Sequence, residues 1–329
     1  MEQVRPFFFV HIPKTAGTSF RQGLAKVPRA NLLMAYPNHP KRNERLIAAT
    51  TPEEGEALLR TLDPERVHII AGHVPYQRYA HLAPPEHALS LVRNPVERAV
   101  SEYQHMALST PGRFSDLESF LHHGPMRNRQ SRLLGGIDPE RAQLGLNSHY
   151  SEYLELVRRS MGLDIASLSM NHTSKKRTRV RQRLPIGLIR KAFAMNGQDV
   201  ALLYSVAERF EKRLRALGWR TVPRRSGVFR MSVDRRLNVH GFLEGTALDA
   251  GIVSLEVNGD PRAITRLQID AGGGAGDGMH RFRYSLPLLG AGPGDVLSAS
   301  LLDAAETRGT IRLSGLRLQW CRAISRLMS

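Results

Sequence analysis

The stretch Phe7-Phe8-Phe9-Val10-His11-Ile12-Pro13-Lys14-Thr15-Ala16-Gly17-Thr18-Ser19 runs from an apolar block of strand length into a short turn and then into residues able to start a helix. Pro13 ends the apolar run, and Gly17 follows among the hydroxyls of Thr15, Thr18 and Ser19. A strand–loop–helix unit of this kind aims backbone N–H groups and the positive end of a helix at one point, where an anion binds. Lys14 adds a point charge at that place. In the Walker A pattern the lysine follows the second glycine of a Gly-rich loop, whereas Lys14 precedes the segment's only glycine, so a plain ATP-kinase reading loses ground. Ordinary turn and cap chemistry also puts Gly, Thr and Ser in such connections, and the loop taken alone leaves both readings open.

A second unit of the same type spans Leu89-Ser90-Leu91-Val92-Arg93-Asn94-Pro95-Val96-Glu97-Arg98-Ala99-Val100-Ser101. Asn94 suits an N-cap and Pro95 the first helical position. Arg93 stands just before the cap and Ser101 about two turns later, so both can face the strand ends. A guanidinium fork and a hydroxyl suit a phosphate, although a charged cap neighbour and a small packing serine would read the same way. Arg98 is expected to face outward or to sit in a salt bridge. Between the two units, Val67-His68-Ile69-Ile70-Ala71-Gly72-His73 forms a short strand ending in glycine, which delivers His73 to a strand end. In a parallel α/β sheet that end lies on the same edge as Lys14 and Arg93. Histidine's ordinary pKa near 6.5 suits it to take a proton from a hydroxyl. His11 and His68 read as packing or supporting residues.

The string HIPKTAGTS resembles the 5′-phosphosulfate loop of sulfotransferases that use 3′-phosphoadenosine-5′-phosphosulfate (PAPS), especially the carbohydrate-type, heparan sulfate 2-O-sulfotransferase-like family. The string from Arg93 to Ser101 resembles that family's 3′-phosphate motif, Arg-Asp-Pro-x-x-Arg followed by Ser, with Asn94 in place of the usual Asp. Gly72-His73 followed by Pro75-Tyr76 resembles the Gly-His segment that carries the family's base; the first histidine of the frequent His-Gly-His is Ala71 here. The resemblance covers roughly residues 5 to 220 and implies a P-loop-like parallel sheet flanked by helices. It implies that Lys14, Thr15, Ala16, Gly17, Thr18 and Ser19 hold the 5′-phosphosulfate, that Arg93 and Ser101 hold the 3′-phosphate, and that His73 acts as base; should His73 prove dispensable, a carboxylate such as Glu97 or Glu102 is the alternative. It further implies that Thr173, Ser174 and Lys175, in a basic Thr/Ser/Lys loop, contact the nucleotide. Asn128, Arg129 and Arg132 could reach acceptor or nucleotide, or serve as cap and surface residues. The expected products are a sulfated carbohydrate, polysaccharide or glycolipid among the compatible acceptors, and 3′,5′-ADP, with no metal. An ATP-dependent P-loop kinase-like enzyme and a non-catalytic glycan-binding protein are the rival readings.

Composition agrees with an anion-binding enzyme without selecting one. Across 329 residues, 47 Lys and Arg stand against 30 Asp and Glu, a formal charge of +17, which favours anionic partners. The basic residues are spread along the chain and aromatics are only 6%, so no nucleic-acid partner is expected. No apolar run approaches the roughly 20 residues of a membrane span. The first strand lies close to residue 1, without a secretory signal, whereas animal relatives carry an N-terminal anchor; the expectation is a bacterial, cytoplasmic enzyme. The single Cys321 leaves no intrachain disulfide and no Cys-based zinc site. Nothing here sets the oligomeric state.

Helical periodicity runs from Pro185 to Trp219 and ends at Gly218. A Pro/Gly/basic linker around 221–227 follows, and then short alternating segments with turn signals such as Asn258-Gly259. The expected organisation is therefore a sulfotransferase domain over 1–222 and a small β-sandwich over 223–329, either a glycan- or partner-binding module or a structural appendage.

Overall fold

The computed structural model describes residues 5–168, 185–219, 221, 229–234, 237–243, 248–269, 280–302 and 304–313. In chain order the first part consists of β1 (Phe7–Val10), α1 (Gly17–Leu24), β2 (Ala30–Met34), α2 (Glu44–Ala48), α3 (Pro52–Leu59), β3 (Val67–Gly72), β4 (Ala88–Val92), α4 (Pro95–Ser109), α5 (Leu117–His122), α6 (Arg129–Leu133), β5 (Gln143–Leu146) and α7 (Tyr150–Met161). The second part consists of α8 (Ile186–Met195), α9 (Gly197–Ala216), β6 (Arg230–Val233), β7 (Asn238–Leu243), β8 (Ile252–Val257), β9 (Asp260–Arg266), β10 (Gln268–Ile269), β11 (His280–Ser285), α10 (Leu286–Leu289), β12 (Val296–Leu301) and β13 (Ala304–Arg312). By packing, the described residues form two compact units, one of 5–93, 101–111 and 128–168, the other of 94–100, 112–127 and 185–313.

The first unit is built on a five-stranded, all-parallel sheet in the order β2-β3-β1-β4-β5. Strands covered on both faces must be apolar throughout, and β4 is buried at every position while Phe8, Phe9 and Val10 of β1 are fully buried. Phe9 packs on Phe20 of α1 at 4.8 Å between ring centroids, and Phe20 on Tyr153 of α7 at 5.4 Å. Gly145 of β5 is required by the same layer, since a Cβ there would stand 2.1 Å from the Tyr153 ring. The chain leaves β1 towards β2 on one side and leaves β4 towards β5 on the other. Their carboxyl ends thus flank the crevice where open parallel sheets bind ligands.

The second unit contains two four-stranded antiparallel sheets, β10-β11-β7-β6 and β13-β12-β8-β9. Val239, Leu243 and Phe282 from one and Val253, Leu255, Leu297 and Ala299 from the other share a single hydrophobic core. Asn258 and Gly259 both take positive φ (54° and 83°), which gives the tight β8–β9 hairpin that the Asn-Gly pair predicts. Strand β6 and the early start of β13 are additions to the sequence reading. Helix α9 joins this unit through Tyr204, whose hydroxyl donates to the carbonyls of Leu255 and Ala263 at 3.3 and 3.2 Å. Helix α8 joins it through Arg190, which pairs with Asp295 at 2.7 Å. The Asn94 cap is present: Oδ1 accepts from the N–H groups of Val96 and Glu97 at 3.0 and 3.1 Å. Arg98 corrects the expectation of an outward residue, because it is fully buried and donates to the Met126 carbonyl at 3.2 Å. Among the described residues no helix is long and apolar enough to cross a membrane.

Candidate functional site

The sheet order lines up four chain segments along one edge. Tyr36 follows β2, His73 follows β3, His11 to Lys14 follow β1, and Arg93 follows β4. Main-chain bonds lock this row: Ala35 N–H donates to the Ala71 carbonyl at 2.8 Å and His11 N–H to the Gly72 carbonyl at 2.9 Å. Gly72 is needed at the crossing, as a Cβ would lie 2.5 Å from the Ala35 carbonyl oxygen. Just beneath, the buried Ser90 hydroxyl donates to the Val10 carbonyl at 2.8 Å, tying β4 to β1.

The loop from Pro13 to Ala16 is held in a costly conformation. Lys14 and Ala16 take left-handed backbone angles (φ 69° and 70°), each unfavourable for a residue with a Cβ by about 1–2 kcal/mol. Thr15 stabilises the bend from inside: it is fully buried and its hydroxyl donates to the Ile12 carbonyl at 2.9 Å. Its side chain therefore braces the loop, and what it can offer a ligand is main chain. Helix α1 starts at Gly17 with no side chain capping its N–H groups, which leaves the first-turn donors of Gly17, Thr18 and Ser19 without a side-chain acceptor. Thr18 is exposed, Ser19 is buried, and Lys14 is half-buried.

Arg93 joins this loop to the second motif. Its guanidinium Nη1 donates to the Lys14 carbonyl at 3.1 Å. Its main chain is gripped by Gln130 of α6, a fully buried side chain that accepts from the Arg93 N–H at 2.9 Å and donates to its carbonyl at 2.8 Å. Ser101 sits half-buried on α4. Thr173, Ser174 and Lys175 lie outside the described residues.

His73 has a defined tautomer. Nδ1 lies 2.6 Å from the His11 carbonyl oxygen, which can only accept, so Nδ1 carries the proton and Nε2 keeps its lone pair. The residue is exposed to solvent at its rim, yet the surrounding protein desolvates it and lowers its pKa below 6.5; the bond to His11 and Glu102 oppose this, while Arg129 and Arg21 add to it. A neutral ring at pH 7 follows. The His11 ring lies beside it, 4.2 Å between centroids, and Tyr36 meets it edge-on at 4.9 Å. His68, by contrast, bonds Asn31 and the Asp63 carbonyl at 3.0 and 2.8 Å and is a packing residue.

Of the carboxylates, Glu102 is buried in an ion pair with Arg129 at 2.5 Å. Glu97 is bonded by the Tyr284 hydroxyl. Arg129 thus anchors Glu102. Among the described residues no three His, Cys, Asp or Glu side chains come together as a metal-binding group. Sequence reasoning missed Gln130, Arg21 and Tyr36. Tyr36 would have been visible had β2 been recognised, since it follows that strand onto the same edge. Gln130 gave no local signal.

No model of a known protein family matches this chain. No curated protein matches it either.

Proposed function

We propose that the protein is a sulfotransferase that moves the sulfuryl group from PAPS to a hydroxyl of a carbohydrate acceptor. The observation that carries this reading is the Arg93–Lys14 bond, which joins the two anion-type motifs at one sheet edge, together with a neutral histidine on that same edge. The uncapped first turn of α1 suits one phosphate and the Arg93 fork another, and a donor with 5′- and 3′-phosphates needs both. The P-loop-like character of β1 and α1 lies in this use of the turn, with Lys14 ahead of Gly17.

When bound, PAPS supplies a sulfuryl group whose bond to the 5′-phosphate oxygen breaks, leaving 3′,5′-ADP. His73 Nε2 takes the acceptor's hydroxyl proton as the acceptor oxygen bonds to sulfur. Lys14 offsets the charge that builds on the bridging oxygen, and the N–H groups of Gly17, Thr18 and Ser19 hold the phosphate that keeps it. Arg93 and Ser101 hold the 3′-phosphate and so separate PAPS from ATP. Positioning and fixed charge carry the catalysis, as in phosphoryl transfer, and the reading calls for no metal.

A thermal-shift comparison tests it against the kinase-like rival. Saturating 3′,5′-ADP is expected to raise the melting temperature and ATP with Mg²⁺ to leave it nearly unchanged; the reverse ranking would favour the kinase. Transfer of labelled sulfate from PAPS onto host glycans separates an enzyme from a glycan-binding protein.

A further inference from the structure

We propose that His11 is a second functional histidine, whose Nε2–H donates to the donor's 5′-phosphate and completes the cradle at the first turn of α1. The inference rests on the sulfotransferase reading above.

His11 is 6% exposed and fixed on three sides. It stacks on Phe9 at 5.3 Å, meets Tyr36 edge-on at 5.8 Å and lies beside His73 at 4.2 Å. Its Nδ1 is 2.6 Å from the Tyr36 hydroxyl. Burial raises the Tyr36 pKa well above its ordinary value, so the phenol keeps its proton and donates it to Nδ1. Burial, and then His73 and Arg21, push the His11 pKa down to about 2, so the ring is neutral. A neutral imidazole that accepts at Nδ1 carries its hydrogen on Nε2.

That Nε2–H points to the loop. A Cβ on Gly17 would stand 2.3 Å from Nε2 and 2.1 Å from Cδ2, so glycine is what admits the ring against the first residue of α1. Among the described residues no hydrogen bond reaches Nε2, and the atom is not sealed from solvent. The N–H is thus open to an incoming acceptor, and an oxyanion held by the adjacent N–H groups of the first turn would supply one. The two neighbouring histidines thus hold opposite tautomers and divide the work. His73 has a free lone pair to take a proton; His11 has a fixed N–H to hold charge and cannot serve as base.

The test compares 3′,5′-ADP with adenosine 3′-phosphate, which lacks the 5′-phosphate, by calorimetry on the full chain and on His11→Phe, which keeps a ring on Gly17. His11→Phe is expected to weaken 3′,5′-ADP binding about tenfold or more while leaving adenosine 3′-phosphate within about twofold, a difference a merely structural loss would not produce. Equal loss for both nucleotides, or no loss for either while the wild type binds 3′,5′-ADP, overturns the role of His11 and leaves the sulfotransferase reading standing. Failure of the wild type to bind 3′,5′-ADP overturns both. Should His11→Phe not fold, ¹⁵N ring-nitrogen shifts of the wild type decide: protonated Nε2 on His11 and protonated Nδ1 on His73 are expected, and an Nδ1-protonated His11 overturns the inference.

Discussion

The side-chain amide of Gln130 brackets the main chain of Arg93, accepting from its N–H at 2.9 Å and donating to its carbonyl at 2.8 Å. A buried glutamine thus does for Arg93 what a neighbouring strand does within a sheet: it fixes the backbone so that the guanidinium reaches the Lys14 carbonyl. Gln130→Leu leaves two main-chain groups unpaired in a buried setting and is expected to cost about 2–4 kcal/mol of stability. Gln130→Glu keeps the acceptor and should cost less. Urea unfolding ranks the two, and similar stabilities for wild type and Gln130→Leu would show that the bracket carries no weight.

If His73 is the base proposed above, its lowered pKa sets the shape of the pH–rate profile. As a base the ring must be neutral, so log kcat/KM should fall as pH drops through a midpoint below 6.5 and stay flat through neutrality. His73→Gln should remove that acid limb and reduce turnover by about 10²–10⁴-fold. An acid limb with its midpoint above 6.5 would point to another group.

His11 makes the fold acid-sensitive in a predictable window. Its folded pKa of about 2 lies below the unfolded value of 6.5, so the unfolded chain binds the extra proton. Stability is complete above pH 6.5 and declines as pH falls below it, by up to about 1.4 kcal/mol per unit for this group. His73 and His81, also lowered, act in the same sense. Between pH 6.5 and 5, above the carboxylate range, denaturant unfolding of His11→Phe should show a shallower decline than wild type.

The left-handed angle at Ala16 (φ 70°) predicts opposite effects for two small changes. Ala16→Gly relieves the Cβ clash and should add about 0.5–1 kcal/mol after the entropy of a freer unfolded chain. Ala16→Val should destabilise by about 2 kcal/mol or more, because a β-branched residue is strained there. Thermal melts of the pair would reveal a relaxed loop if the order were reversed.

The sequence made the two strand–loop–helix units legible because each is local: an apolar run stopped by Pro13 and a cap at Asn94-Pro95 need no distant partner. Strands β2 and β5 escaped notice, being five and four residues long, the latter carrying a glycine whose purpose is the Tyr153 ring. Gln130 acts 37 residues away from Arg93, and His73 is oriented by a main-chain carbonyl, which no residue type encodes. Arg98 misled for a related reason, since periodicity counts any arginine as polar, while this one is buried on a carbonyl. The β8–β9 hairpin was readable from Asn258-Gly259 alone, because both residues must tolerate positive φ.

Whether Lys14, Arg93 and His73 serve a donor with two phosphates, as proposed, is decided by calorimetric titration of the full chain with 3′,5′-ADP. Saturable binding of 3′,5′-ADP, at least about tenfold tighter than ATP, and its loss in Arg93→Ala are expected. Equal or tighter binding of ATP, or 3′,5′-ADP binding unaffected by Arg93→Ala, would contradict the proposal.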